Sequence, residues 1–182
     1  MTKSITKDSF LEKKISKRQN ILRIIIYSSI AFLTPLFFGN MQYLSGTIVN
    51  CILILAAMNI KKYELIPVIV LPSIAMLIGG FVFYTLFSYF LYLMPVIWLA
   101  NASLVFLFKW LKSNKNLNFI SSLVLSAIAK TVILFLAANF LYRMDMAAKS
   151  IVAIFGSMQL ITALSGGVLA LIAQKIKKAF IF

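Results

Sequence analysis

One residue in this chain is expensive to place. Lys130 lies near the middle of residues 120–142, an apolar stretch long enough to cross a bilayer. At ~1.5 Å per residue it stands about 15 Å from either end of a helix. A lysine side chain reaches only about 6 Å, so snorkelling to either surface would be strained. An ammonium at that depth costs at least ~2.5 kcal/mol. The sequence has four acids, Asp8, Glu12, Glu64 and Asp145, and none lies inside an apolar run. Lys130 is therefore expected to face a protein cavity. Its partners there would be backbone carbonyls, side-chain amides or an incoming anion.

Other apolar runs carry isolated amides: Asn50, Asn101 and Gln159. Helical spacing puts Tyr43, Thr47 and Asn50 on one side of their run. Trp98 and Asn101 stand three apart, as do Gln159 and Thr162, and Ser126 lies one turn before Lys130. An amide both donates and accepts, and a lysine offers donors with positive charge. Aromatic faces at Trp98 and Tyr43 would suit stacking on a flat ligand. This is binding chemistry for a polar or anionic small molecule. It offers no activated nucleophile and no acid–base pair, so no enzyme is expected. The same amides would also serve as packing glue between helices, and Tyr43 and Trp98 as interface anchors.

The elements that must position these groups are membrane helices. The chain has 182 residues, 62% of them hydrophobic and 12% charged. That composition excludes disorder and an ordinary soluble domain. The expected fold is all-α and polytopic, with spans at about residues 21–38, 43–60, 65–87, 93–110, 120–142 and 151–173. Residues 1–20 form a polar, basic tail, and residues 21–178 the transmembrane domain. Pro67, Pro72 and Gly79–Gly80 weaken the third run. The tyrosine-rich stretch around Tyr84, Tyr89 and Tyr92 is expected as an interfacial loop.

A net charge of +14 would suggest nucleic acid in a soluble protein. Its distribution argues for membrane orientation instead. Of 18 Lys and Arg residues, all but Lys130, Arg143 and Lys149 fall in the tail or the loops that share its side. Both termini are thus expected in the cytoplasm of a plasma-membrane protein. In that topology Asn50, Asn101 and Gln159 lie roughly 10–12 Å below the outer surface, and Lys130 about 18 Å. Four polar groups on four helices share one slab in the outer half.

Histidine is absent and Cys51 is the single cysteine, which removes histidine triads, CxxC metal sites and the usual zinc ligands. No cofactor is expected. Ala163, Gly166, Ala170 and Ala173 form a small-residue stripe suited to close helix packing.

The size, span count, termini and outward pocket resemble the substrate-binding S component of energy-coupling factor (ECF) transporters. More narrowly, "QYLSGTIVN" from Gln42 to Asn50, "LPS" from Leu71, "PVIWLAN" from Pro95 to Asn101 and "MQLITALSGG" from Met158 to Gly167 are similar to a subgroup of such proteins. The resemblance implies a subunit that captures a vitamin-like solute outside. It also implies partners: a transmembrane coupling protein and two cytoplasmic ATPases. It adds Gln42 to the candidate binding set of Lys130, Asn50, Asn101, Gln159, Trp98, Tyr43 and Thr162. The sequence has no GxxxxGK[ST] phosphate loop, so any ATP would be hydrolysed by a partner. In place of the family's alanine-spaced docking face, the first span carries Ser28, Ser29 and Ala31 beside Phe32 and Leu33. The lack of histidine and of membrane carboxylates argues against a nickel or cobalt cargo. The alternative reading is a non-transporting scaffold similar to the rod-shape proteins of the MreD type, in which Lys130 and the amides would be packing or partner contacts.

Overall fold

The structure is a computed structural model that describes residues 17–80, 87–146 and 148–179. These residues form seven α-helices and one 3-10 turn: α1 (Lys17–Phe38), α2 (Gln42–Asn59), the turn Lys62–Leu65, α3 (Ile66–Gly80), α4 (Phe87–Ser113), α5 (Phe119–Arg143), α6 (Lys149–Phe155) and α7 (Ser157–Ala179). No strand occurs among the described residues. Stretches of five helices are long and apolar enough to cross a membrane: Gln19–Phe38, Gln42–Asn59, Leu91–Ser113, Phe119–Arg143 and, across α6 and α7, Lys149–Lys177. Tyr63–Gly79 is a shorter apolar helix. In lipid, a helix satisfies its backbone polar groups internally, which is why such sequences choose it.

Large apolar side chains cover the outside of the bundle. Ile128, Val132, Leu136 and Phe140 on α5 are exposed at four-residue spacing, and Leu169, Ile172 and Ile176 on α7 are exposed at spacings of three and four. In water this would be an aggregation surface; against acyl chains it is solvated.

Helix α2 is the hub and packs on α7, α1 and α4, while α5 lies against α4, α6 and α7. The half of the bundle around the end of α2 is filled solid. Leu53, Ile54, Ala56 and Ala57 interlock with Leu104, Val105 and Phe108 of α4 and with Ala163 and Ala170 of α7. Phe108 meets Phe119 edge to face, with ring centroids 5.2 Å apart. Lys109 donates to the carbonyls of Ala57, at 3.2 Å, and Ile60. It thereby places a cationic donor on the negative end of the α2 dipole. Nearby, Asn20 of α1 donates to Glu64.

Two details differ from the sequence expectation. The sixth span is two helices, because the chain breaks at Gly156. A Cβ there would stand 2.8 Å from the Val152 carbonyl of the preceding α6 turn and 3.0 Å from the Phe135 ring of α5, so this junction has no room for a side chain. The expected aromatic loop is helical from Phe87 onward, and α4 runs through Pro95 without ending; Tyr84 lies outside the described residues. The third span is helical from Ile66 to Gly80, and its expected continuation over residues 81–86 lies outside the described residues. The basic tail before residue 17 also lies outside the described residues.

Candidate functional site

The other half of the bundle is hollow. A cavity of about 830 Å³ opens at the end carrying the α1–α2 turn, the end of α3 and the α6–α7 junction. All seven helices contribute to its walls. Its volume lies in the range of small-molecule sites.

The floor is built from four helices. Lys130 Nζ donates to Asn50 Oδ1 at 2.6 Å. Asn50 Nδ2 donates to Thr162 Oγ1 at 3.2 Å, and Thr162 Oγ1 donates to the Gln159 carbonyl, also at 3.2 Å. Asn101 Nδ2 donates to the Ile69 carbonyl at 3.2 Å, in the α3 turn just before Pro72. Pro72 lacks an N–H, so the α3 ladder omits the bond to Val68, and the Asn101 amide from α4 meets the next carbonyl, that of Ile69, beside this gap. Lys130, Asn50, Asn101 and Thr162 are all at most 3% exposed, yet all line the cavity.

Close backbone approach holds the floor together. A Cβ on Gly166 would lie 2.5 Å from the Thr47 carbonyl and 2.8 Å from Asn50 Cβ. A Cβ on Gly46 would lie 3.1 Å from the Thr162 methyl. Glycine at both positions lets α2 and α7 approach until Asn50 and Thr162 bond. The stripe on α7 thus packs inward at Ala163, Gly166 and Ala170, while Ala173 is exposed.

Lys130 is the one ionisable side chain in the described lining. Among the described residues its hydrogen-bond partner is Asn50 alone. A lysine nitrogen has two or three N–H groups depending on its protonation, so at least one faces the hollow unused. A donor left without an acceptor in an apolar wall costs roughly 1–3 kcal/mol. A guest with an acceptor oxygen would recover it. The lining supplies hydrogen bonds and one potential charge; it contains no histidine, cysteine or carboxylate that could move a proton or ligate a metal.

Of the residues singled out from sequence, Lys130, Asn50, Asn101, Gln159, Thr162 and Gln42 share this cavity. Tyr43 does not: it is 56% exposed on the outer face of α2, one residue along from Gln42. Trp98 also stays out of the lining. Its indole Nε1 donates to Ser73 Oγ at 2.5 Å, and Ser73 in turn lines the cavity. Thr47 and Ser126 are likewise absent from the walls; the Ser126 hydroxyl donates to the Ser122 and Leu123 carbonyls. The structure adds Ser45 and Ser73 and an apolar wall that includes Met76, Ile97, Leu134, Ile154, Phe155 and Met158. Ser45 lies in the same register as Gln42 and Asn50, and that spacing was the available signal. The apolar wall had none, since every span is apolar. No protein-family model matches this chain, and no curated protein or solved structure matches it either.

Proposed function

We propose that this protein is the solute-binding membrane subunit of an ECF-type importer, which captures a small polar or anionic molecule from outside the cell. The observation that carries this reading is the cavity itself: a hollow of about 830 Å³ whose floor holds a buried lysine bonded to one amide. A protein that only packs helices gains nothing from such a void. Empty space forfeits dispersion contacts, and an unused donor adds its own cost. Both costs vanish when a guest fills the space and accepts the hydrogen bond.

Orientation supports the same reading. Lys61, Lys109, Lys112, Lys115, Lys175 and Lys177 belong to the end opposite the mouth, and the positive-inside rule assigns that end to the cytoplasm. The mouth then faces outward in the plasma membrane. Energy would come from partners, namely a transmembrane coupling protein and two cytoplasmic ATPases. On α1, Ala31 is fully buried, while Ser28 and Ser29 line a shallow open groove with Ile25 and Phe32, so α1 presents no alanine-spaced patch to a coupling protein.

The scaffold reading has one observation in its favour: Asn50 and Thr162 satisfy each other across α2 and α7, as packing groups would. The decisive experiment is native mass spectrometry of the purified protein, paired with affinity purification from its own membranes. A co-purifying small molecule, together with a coupler and ATPases, is expected. Recovery of cell-shape or wall-assembly proteins with no bound solute would establish the scaffold instead.

A further inference from the structure

The arrangement of the lining specifies the guest more narrowly than a polar or anionic solute. We infer that the cavity takes a single-chain amphiphile: one carboxylate at the floor and an aliphatic body along the walls. This inference rests on the solute-capture reading and names its substrate class.

The argument follows the order of lining residues along each helix. Measured from the mouth, the deepest lining residue of α2 is Asn50, of α4 Asn101, of α5 Lys130 and of α7 Thr162. Directly above them are Ile97 on α4, Leu134 on α5, and Gln159 with Met158 on α7. Met76 and Leu77 of α3 and Ile154 and Phe155 of α6 extend the apolar wall. Most of the buried polar groups therefore gather at the bottom, and apolar surface dominates the shaft, where Gln159, Ser45 and Gln42 are the polar residues above the floor on α7 and α2. A compact polyhydroxylated or zwitterionic solute has more polar groups than those few side chains can pair, and the rest would stand desolvated against apolar wall.

Charge sets the head group. One lysine offers at most one positive charge, and the described lining has no second. A monoanion is matched, whereas a dianionic phosphate would carry a charge into the floor without a partner. Flat heteroaromatic guests lose their support too. Trp98 and Tyr43 lie outside the lining, and among the described residues its aromatic side chains are Phe37, near the mouth, and Phe155.

The test uses the full chain in phosphatidylcholine nanodiscs and equilibrium dialysis with radiolabelled decanoate, with empty nanodiscs as background. Saturable binding is expected. Unlabelled 1-decanol, decyl phosphate, nicotinate and inorganic phosphate should each compete at least tenfold more weakly than decanoate. In Lys130→Met the preference for acid over alcohol should disappear. Ile154→Trp, which narrows the shaft and leaves the floor intact, should shift the best chain length below that of the parent. This second variant keeps the test decisive if Lys130→Met fails to fold. Equal competition by decyl phosphate, nicotinate or 1-decanol, or decanoate binding no greater than to empty nanodiscs, overturns the inference. If decanoate fails while native mass spectrometry finds another bound solute, the substrate class falls and solute capture stands. If decanoate binds but no coupler co-purifies, the class stands and the importer falls.

Discussion

At the residue scale the floor is asymmetric, and the asymmetry is measurable. Asn50 satisfies two neighbours, since it accepts from Lys130 and donates to Thr162. Replacing it with leucine strands Lys130 and leaves the Thr162 hydroxyl with its bond to the Gln159 carbonyl alone. Asn50→Leu should therefore destabilise the protein by about 1–3 kcal/mol for groups left unsatisfied. Lys130→Met removes only one donor, and the amide oxygen it abandons still borders an open cavity. It should cost less than about 1 kcal/mol. The double variant Asn50→Leu/Lys130→Met should be more stable than Asn50→Leu alone, because no lysine is left stranded. Thermal unfolding of all four proteins in one detergent checks the order, and a coupling near zero would mean that the pair is not energetically linked. The two aromatic candidates give the opposite expectation. Trp98→Phe and Tyr43→Phe should leave solute affinity within about twofold, since neither side chain lines the cavity. Sequence separated these groups only in part. Lys130 was legible because its cost in lipid is high wherever it points. Trp98 and Tyr43 were not, because an aromatic ring is stable toward lipid, toward a partner helix or toward a guest, and spacing alone does not choose among these.

At the element scale, position comes from small residues and breaks rather than from the polar groups themselves. Gly166 lets α7 lie on the α2 backbone, and that contact sets where Asn50 stands relative to Lys130. Gly166→Ala puts a methyl 2.5 Å from the Thr47 carbonyl, which forces the helices apart. A cost of about 1–3 kcal/mol is expected from overpacking. Solute affinity should fall in parallel, although residue 166 lines no part of the cavity. Unfolding and binding measurements on one preparation test this, and a variant that is destabilised but binds normally would show that the floor does not depend on the crossing. The small-residue stripe announced this crossing in the sequence, since its spacing is that of a helix–helix contact. The break at Gly156 was not announced. An apolar run reads as continuous until the steric demands of Phe135 and Val152 are known, and those come from another helix and from the preceding turn.

At the scale of the whole molecule, the bundle is solid at one end and hollow at the other, and charge agrees with that polarity. The solid end carries Lys61, Lys109, Lys112 and Lys115 with Lys175, and the hollow end carries the Asn40 turn and the Arg143–Asp145 turn. The span count and this polarity were legible because each loop independently records its side in lysines. The hollow was legible only through its polar floor, since Lys130 and amides at one depth called for a cavity, whereas its volume and apolar wall depend on how seven helices pack and leave no mark on any one of them. The agreement makes a prediction that needs no ligand. In a Cys51→Ser background, Asn40→Cys and Asp145→Cys should react with a membrane-impermeant maleimide added to whole cells. Asn114→Cys should react only after the cells are opened. These three positions lie in loops or turns at the helix ends, so the substitutions should not disturb packing. A fourth variant, Gln159→Cys, should label slowly from outside, and a bound solute should protect it, since residue 159 lines the shaft below the mouth. Labelling of Asn114→Cys from outside, with Asn40→Cys shielded, would invert the protein. The cavity would then face the cytoplasm, where it could release or sense a solute but could not capture one from outside.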